Sequence, residues 1–334
     1  MKIIVPMAGW GSRLRPHTLT IPKPMLNIAG KPIVEWLVED LVKNTTEKID
    51  EIAFIIRADF GKNVELKLEE IAKKHNATCS INYQDEPKGT AHAILCAKHA
   101  LKGKVIVGFA DTIFKADFIF DESVDGVIFT KKVDDPSAFG VVQLNNKGHI
   151  INFVEKPKTF VSDEAIIGIY YFKDGETLNN ELQYLIDNNI MQGGEYQLTN
   201  ALDNMKNKGM IFTSGIVDKW LDCGNKVATV DTNKQVLELN SNKNLIHSSM
   251  KSLHSVIIPP CYIGENVILE NSIIGPFVSI GDNTTIKNSV IKNTLIQDKS
   301  ELKNIVMENS MIGNQVKINK VPSDLSLGDF CVEN

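Results

Sequence analysis

The residues best suited to chemistry lie near the amino terminus. Gly9-Trp10-Gly11-Ser12-Arg13-Leu14-Arg15-Pro16 follows an apolar run directly, and Pro22-Lys23-Pro24-Met25-Leu26 and Lys31-Pro32 come soon after it. Glycines let a backbone approach a ligand closely, and successive N–H groups form an anion-binding concavity. Arg13 and Lys23 add fixed positive charge, which a triphosphate needs where negative charge shifts during phosphoryl transfer. The glycine spacing is neither a P-loop nor the dinucleotide GxGxxG, and GxG alone occurs in many tight turns. Farther along, carboxylates stand at the ends of apolar runs: Asp111 after Val105 to Ala110, and Asp222 in Trp220-Leu221-Asp222-Cys223-Gly224. A lone aspartate there is often a cap or turn residue. No Ser/His/Asp or Cys/His set accompanies these residues, and Cys223 has no evident base beside it.

These residues need a scaffold, and 334 residues point to two domains. A formal charge of -5 gives no general pull toward nucleic acid or an anionic membrane, so a phosphate site must be local. The five cysteines (Cys79, Cys96, Cys223, Cys261, Cys331) are odd in number and form no CxxC pair. That pattern fits a reducing compartment without disulfides or structural zinc. The start MKIIVPMAGWGSRLRP lacks the features of a signal peptide, and no apolar run approaches membrane-spanning length. A cytoplasmic protein is expected.

Through residue 240 short apolar runs alternate with amphipathic stretches. Strands are expected at Ile3 to Met7, Ala53 to Ile56, Ser80 to Tyr83 and Val105 to Ala110. Helices are expected from about Pro32, at Val64 to Lys74 and at Thr90 to Leu101. Less regular strands follow at Gly126 to Lys131, Gly140 to Leu144, Ile150 to Glu155 and Ile166 to Phe172, with helices at Leu178 to Asn188, Tyr196 to Lys206 and Lys226 to about Leu239. Alternating strands and helices imply an α/β fold, a Rossmann-like, mostly parallel sheet with helices on both faces. Ligands of such sheets sit beyond the carboxyl ends of the strands, which is where the Gly9 turn and Asp111 fall.

After the polar linker Asn240 to Asn244 the sequence repeats. Aliphatics from Ile257 to Ile318 recur every five or six residues, and an aliphatic-charged-Asn triplet returns as Leu269-Glu270-Asn271, Ile286-Lys287-Asn288, Ile291-Lys292-Asn293, Leu302-Lys303-Asn304 and Met307-Glu308-Asn309. So short a period suits a solenoid, and the pattern resembles the left-handed parallel β-helix of hexapeptide repeats. The expected domains are 1–240 and 250–322.

Taken whole, AGxGSRLRPxTxxxPKPMLxxxxKP over Ala8 to Pro32 resembles the opening signature of the sugar-nucleotide pyrophosphorylases, the sugar-1-phosphate nucleotidylyltransferases, which include glucose-1-phosphate thymidylyltransferases and uridylyltransferases. The resemblance implies a nucleotide site at Ala8, Gly9, Gly11 and Ser12, with Arg13 and Lys23 as catalytic cations. Gln84 to Ala93 resembles the family's base-recognition segment, implying nucleotide contacts from Gln84, Gly89 and Thr90. The Gln84 amide can pair with a donor and an acceptor on a pyrimidine edge, or Gln84 is simply a solvated strand end. His92 is read as packing or capping. Asp111 and Asp222 are implied as ligands of Mg²⁺, which prefers one or two carboxylates with phosphates and water.

Gly140, Glu155, Lys156 and Gly168 are implied at the sugar phosphate. Glu155 can only accept hydrogen bonds and Lys156 is a compact counter-charge, although the two could also be an exposed ion pair. The implied reaction is in-line attack of a sugar phosphate oxygen on the α-phosphorus of a nucleoside triphosphate, with pyrophosphate leaving. Gln84 favours dTTP or UTP. Lys88-Gly89-Thr90-Ala91-His92 is similar to uridylyltransferases acting on N-acetylglucosamine 1-phosphate, but Ile166 and Ile167 stand where those carry an asparagine, which favours glucose 1-phosphate. An acyltransferase role for the solenoid would need a histidine, and none occurs from Ser255 to Asn334. Homo-oligomerisation through its flat faces is expected instead. A non-catalytic sugar-nucleotide sensor is the rival from another class; it would be expected to have lost some of Arg13, Lys23, Asp111, Lys156 and Asp222, all present here.

Overall fold

A computed structural model describes residues 1–116 and 123–332. The chain runs β1 (Lys2–Pro6), β2 (Asn27–Ile28), β3 (Lys31–Pro32), α1 (Ile33–Lys43), β4 (Glu51–Ile56), α2 (Lys62–Lys74), β5 (Thr78–Tyr83), α3 (Thr90–Leu95) and β6 (Val105–Gly108). It continues with β7 (Thr112–Lys115), β8 (Gly126–Lys132), β9 (Gly140–Leu144), β10 (Ile150–Glu155), β11 (Glu164–Phe172), α4 (Gly175–Asp187), α5 (Leu198–Asn207), β12 (Phe212–Ile216), β13 (Lys219–Asp222) and α6 (Lys226–Leu239). Packing divides the chain into two compact units, Met1–Leu26 with Lys31–Asn225, and Asn27–Gly30 with the chain from Lys226 on. The division at Asn225 precedes the polar linker, so α6 groups with the second unit.

The first unit is built on a nine-stranded sheet among the described residues. Its path is β10-β9-β11-β6-β1-β4-β5, and β8 pairs with β11 and β12. Strands β1, β4, β5 and β6 are parallel, while β11 runs antiparallel to β6. Alternate side chains enter opposite cores: Ile4, Ala53 and Val107 pack with α3, α4 and α5, whereas Ile3, Val5 and Phe54 pack with α1 and α2. Both faces are buried, so the strands read as continuous apolar runs.

Five strands escaped sequence reading: β2, β3, β7, β12 and β13 are short and mix polar with apolar residues. The helix expected through Leu101 ends at Leu95 and is followed by a 3-10 turn, Lys98–Ala100. Ala97, Ala100 and Leu101 are still buried, so the apolar spacing persisted after the backbone had tightened.

In the second unit, parallel strands stack into a β-helix. Its first coil is β14 (Lys251–Leu253), β15 (Val256–Ile257) and β16 (Cys261–Ile263), and its second is β17 (Ile268–Glu270), β18 (Ile273–Ile274) and β19 (Val278–Ile280). Then come β20 (Thr285–Lys287), β21 (Val290–Ile296), β22 (Glu301–Lys303), β23 (Val306–Ile312) and β24 (Lys317–Asn319). Lys251 pairs with Ile268, Ile268 with Thr285 and Thr285 with Glu301, so one coil takes 16 or 17 residues. Ile263, Leu269, Ile274, Ile280, Ile286, Ile291 and Leu302 fill the interior and are fully buried.

The recurring asparagine has a double cause. Asn271, Asn288, Asn293, Asn304 and Asn309 all have φ between 40° and 55°, a corner conformation that asparagine tolerates better than other non-glycine residues. Their amides also form ladders between coils: Asn271 Nδ2 donates to Asn288 Oδ1 at 3.2 Å, and Asn288 Nδ2 to Asn304 Oδ1 at 3.0 Å. His254 stands at this corner in the first coil with φ 49°. Asn288→Ala is expected to cost about 1–2 kcal/mol, from the left-handed backbone and the broken ladder, and Asn288→Gly less. Chemical denaturation checks this; wild-type stability in the alanine variant would contradict it.

Candidate active site

The sheet order places the site. From β1 the chain moves outward to β4 and β5, then returns to β6 on the other flank of β1. The order therefore reverses between β1 and β6, and a crevice opens beyond their carboxyl ends. The glycine turn leaves β1 and Asp111 follows β6, so the topology brings these two distant segments together.

Gly9 and Ser12 are exposed on the turn, and Ala8 is half-buried. Gly11 has φ 60°, and a Cβ there would stand 2.8 Å from the Lys23 Cβ, so only glycine lets the turn close onto Lys23. The Thr18 hydroxyl fastens the turn by donating to the Gly11 carbonyl at 2.8 Å. Arg13 lies exposed in a 3-10 turn, Ser12–Leu14. The Lys23 side chain is only 10% exposed, and its Nζ lies 3.6 Å from Asp111 Oδ2, whose side chain is 59% exposed.

Asp222 arrives through the unforeseen pair of β13 with β7. Asp222 lies opposite Thr112 in that antiparallel register, and the Cys223 N–H donates to the Asp111 carbonyl at 3.3 Å. Trp220 secures the pair, its indole N–H donating to Thr112 Oγ1 at 2.9 Å while Phe139 packs edge-on at 5.0 Å between ring centroids. Burial pushes the Asp222 carboxyl above its ordinary range; Lys23 opposes this, Asp111 adds to it and Arg13 opposes it. The four charged groups share one local field. Among the described residues no cluster of three or more His, Cys, Asp or Glu side chains could hold a metal. Two adjacent carboxylates suit Mg²⁺ all the same, since phosphates and water complete its shell.

In the segment expected to recognise the base, Gln84 is buried just after β5. Its amide nitrogen donates to the Gly89 carbonyl at 3.1 Å and lies 3.0 Å from His92 Nδ1. Burial lowers the His92 pKa, which favours the neutral ring and an accepting Nδ1. With its amide hydrogens so engaged, Gln84 has only its carbonyl oxygen to offer a ligand. Thr90, expected at the nucleotide, has its hydroxyl engaged elsewhere, accepting from the Leu198 N–H at 2.9 Å and donating to Gln197 at 3.2 Å.

Gly89 has φ 103°, and a Cβ there would meet the Tyr196 carbonyl oxygen at 2.5 Å. Gly89→Ala is expected to destabilise the chain by about 2–5 kcal/mol, because rigid backbone must move and the dihedral disfavours alanine. A thermal melt reads this directly, and an unchanged midpoint would refute the close approach.

Among the residues expected at the sugar phosphate, Gly140 faces Glu155 across the antiparallel pair of β9 and β10. The Thr199 hydroxyl donates to Glu155 Oε2 at 3.4 Å, and Lys156 Nζ lies 3.7 Å from Glu155 Oε1. Lys156 has φ 43°, an uncommon backbone for lysine and one found at constrained sites. Gly168 lies where the register of β11 shifts, and its carbonyl accepts from the Phe109 N–H at 2.9 Å. Burial raises the Tyr170 hydroxyl pKa, with the negative charges of Glu155 and Asp111 adding to it.

Two features had no clear signal in the sequence. Trp10, inside the glycine turn and 51% exposed, carries the Arg57 guanidinium 3.9 Å from its ring centroid. Arg57 is itself held by Asp59 and the Asp85 carbonyl. A cavity of about 240 Å³ also opens beside Glu155 and Thr199, walled by Phe153, Ile190, Gln192, Asn200, Asp203 and Asn204. Its polar residues come from α5 and the loop before it, remote in sequence from the glutamate they surround.

The model of the nucleotidyl transferase family matches residues 2–239, and the chain belongs to that family. It is 31% identical over 285 residues to the bifunctional protein GlmU of Methanococcus maripaludis, covering 83% of this chain and 62% of that protein. It is also 30% identical over 238 residues to the catalytic subunit beta of mannose-1-phosphate guanylyltransferase from Xenopus tropicalis, covering 67% of this chain and 61% of that one. The chain thus spans about 62% of the length of the first of these curated relatives. The solved nucleoside-diphosphate-sugar pyrophosphorylase from Vibrio cholerae superposes with TM-score 0.60 at 19% identity, over 70% of this chain and all of that one. At that identity the likeness shows the fold. No helix among the described residues is long and apolar enough to cross a membrane.

Proposed function

We propose that the first unit transfers a nucleotidyl group from a nucleoside triphosphate to a hexose 1-phosphate, releasing pyrophosphate. One observation carries this reading: Lys23 lies 3.6 Å from Asp111, with Asp222 beside both, at the reversal of strand order. Both substrates already bear ionised phosphates, so no general base is needed. The task is to hold two polyanions in line and offset their repulsion. Lys23 screens the departing pyrophosphate, Arg13 stabilises charge near the α-phosphorus, and Lys156 holds the sugar phosphate. The glycine turn from Ala8 to Ser12 offers backbone N–H groups to the triphosphate, and Glu155 orders sugar hydroxyls. Asp111 and Asp222 would hold Mg²⁺, which would supply charge neutralisation for the phosphates.

The base is assigned as a pyrimidine, dTTP or UTP, on the Gln84 carbonyl, and the sugar as glucose. A second reading, UTP with N-acetylglucosamine 1-phosphate, is favoured by Lys88 to His92 and by the likeness to the bifunctional protein GlmU of Methanococcus maripaludis. The β-helix is assigned to assembly of a homo-oligomer. Pyrophosphate release across UTP, dTTP, ATP, CTP and GTP against the common hexose 1-phosphates, with Mg²⁺, tests all of this. No turnover with any pair, alongside a thermal shift with UDP-glucose, would replace the enzyme by a sugar-nucleotide sensor. Turnover with GTP and mannose 1-phosphate alone would overturn the pyrimidine assignment.

A further inference from the structure

The faces of the β-helix differ in surface chemistry. The strands β16, β19 and the second half of β21 lie on the α6 side: Ser279 Oγ donates to Asn233 Oδ1 at 2.6 Å, and Asn233 Nδ2 to the Phe277 carbonyl at 3.4 Å. The face of β14, β17, β20, β22 and β24 carries rows of opposite charge, with Lys287 at 2.7 Å from Glu270 and Lys317 at 3.1 Å from Glu301. The remaining face is different. Val256 pairs with Ile273, Ile273 with Val290 and Val290 with Val306, so four β-branched side chains stand in one column, one per coil. Their exposures are 57%, 42%, 41% and 84%.

An outward column on a flat sheet is normally polar or charged, and scattered apolar residues need no explanation. Four in exact register do. We infer that this column is where a second copy of the chain docks, its own column packing against this one. The inference rests on the assembly role proposed above and names its surface. The coil-to-coil ladders already use the backbone groups of these strands, so an added peptide strand has nothing to pair with on this face. A lipid surface would favour a basic rim, whereas Lys292 and Glu308 beside the column lie 3.9 Å apart and balance each other. A second copy offers an identical ladder with the same spacing of about 4.8 Å between rows, so all four rows interdigitate at once.

The column presents a few hundred Å² of apolar surface, the size of patch that marks an association site. A stable pair needs about 800 Å² from each partner, so Ile258 at 41% exposure and the Lys292–Glu308 rim must join the interface.

Light scattering on the full chain tests this. The wild-type mass is expected at a multiple of 37.1 kDa, and Ile273→Lys with Val290→Lys should bring it down to 37.1 kDa with an unchanged circular dichroism spectrum. Lys251→Glu, on the charged face, should leave the multiple intact. Should the double variant fail to fold, Val306→Glu at the more exposed end decides, with at least a tenfold weaker association expected. An assembled double variant, or an undisturbed Val306→Glu, would move the interface elsewhere while leaving self-association standing. A wild-type chain of single mass would overturn both.

Discussion

Asp111→Asn should lower pyrophosphate release by about 10²–10⁴-fold with the chain still folded. The carboxylate is mostly exposed, and its substitution removes no core packing. It also relieves the like charge that helps push the Asp222 carboxyl up, so the thermal midpoint should hold or rise. Asp222 remains to balance Lys23, which is why the effect falls on function rather than on folding. Calorimetric titration of Mg²⁺ in the presence of nucleotide gives a second readout, and metal binding should weaken along with turnover. Near wild-type turnover together with unchanged metal binding would take Asp111 out of the site.

Lys23→Met should lower kcat by about 10²–10³-fold. Methionine keeps much of the unbranched volume at this buried position, so the substitution isolates the charge. Lys23→Arg should not restore the rate. Its guanidinium is larger and planar, and the Lys23 side chain already lies against the glycine turn near Gly11. The diagnostic is a fall in kcat exceeding any rise in KM for the nucleotide, because charge on departing pyrophosphate develops during the reaction. A pure KM effect would make Lys23 a binding residue only, and a wild-type rate in the methionine variant would end its assignment.

The two variants probe groups that the sequence presents very differently. Lys23 and the glycine turn are near neighbours in the chain, and it is their combination in one signature, not the glycines alone, that raises the expectation of a phosphate site. Asp111 and Asp222 are separated by more than a hundred residues, and each alone is an ordinary strand-end aspartate. What joins them is the pair of β7 and β13, four residues each with mixed polarity, too short to produce a periodic signal. The segment proposed to meet the base shows the same limit. Gln84, Gly89 and Thr90 lie within seven residues of one another, yet packing of Tyr196 to Leu198 engages the Thr90 hydroxyl and forces the glycine.

The sequence by itself determined the α/β alternation, the glycine turn with its cations, and the β-helix. Each of these is a local pattern: strands buried on both faces are continuously apolar, tight turns need glycine, and every coil repeats the same corner. Only the tertiary structure decided which distant residues meet. It set Asp222 beside Asp111, placed Arg57 on Trp10, and aligned Val256, Ile273, Val290 and Val306 on one face. Such meetings depend on strand pairing between segments far apart in the chain, and register across that gap leaves no periodic trace in either segment.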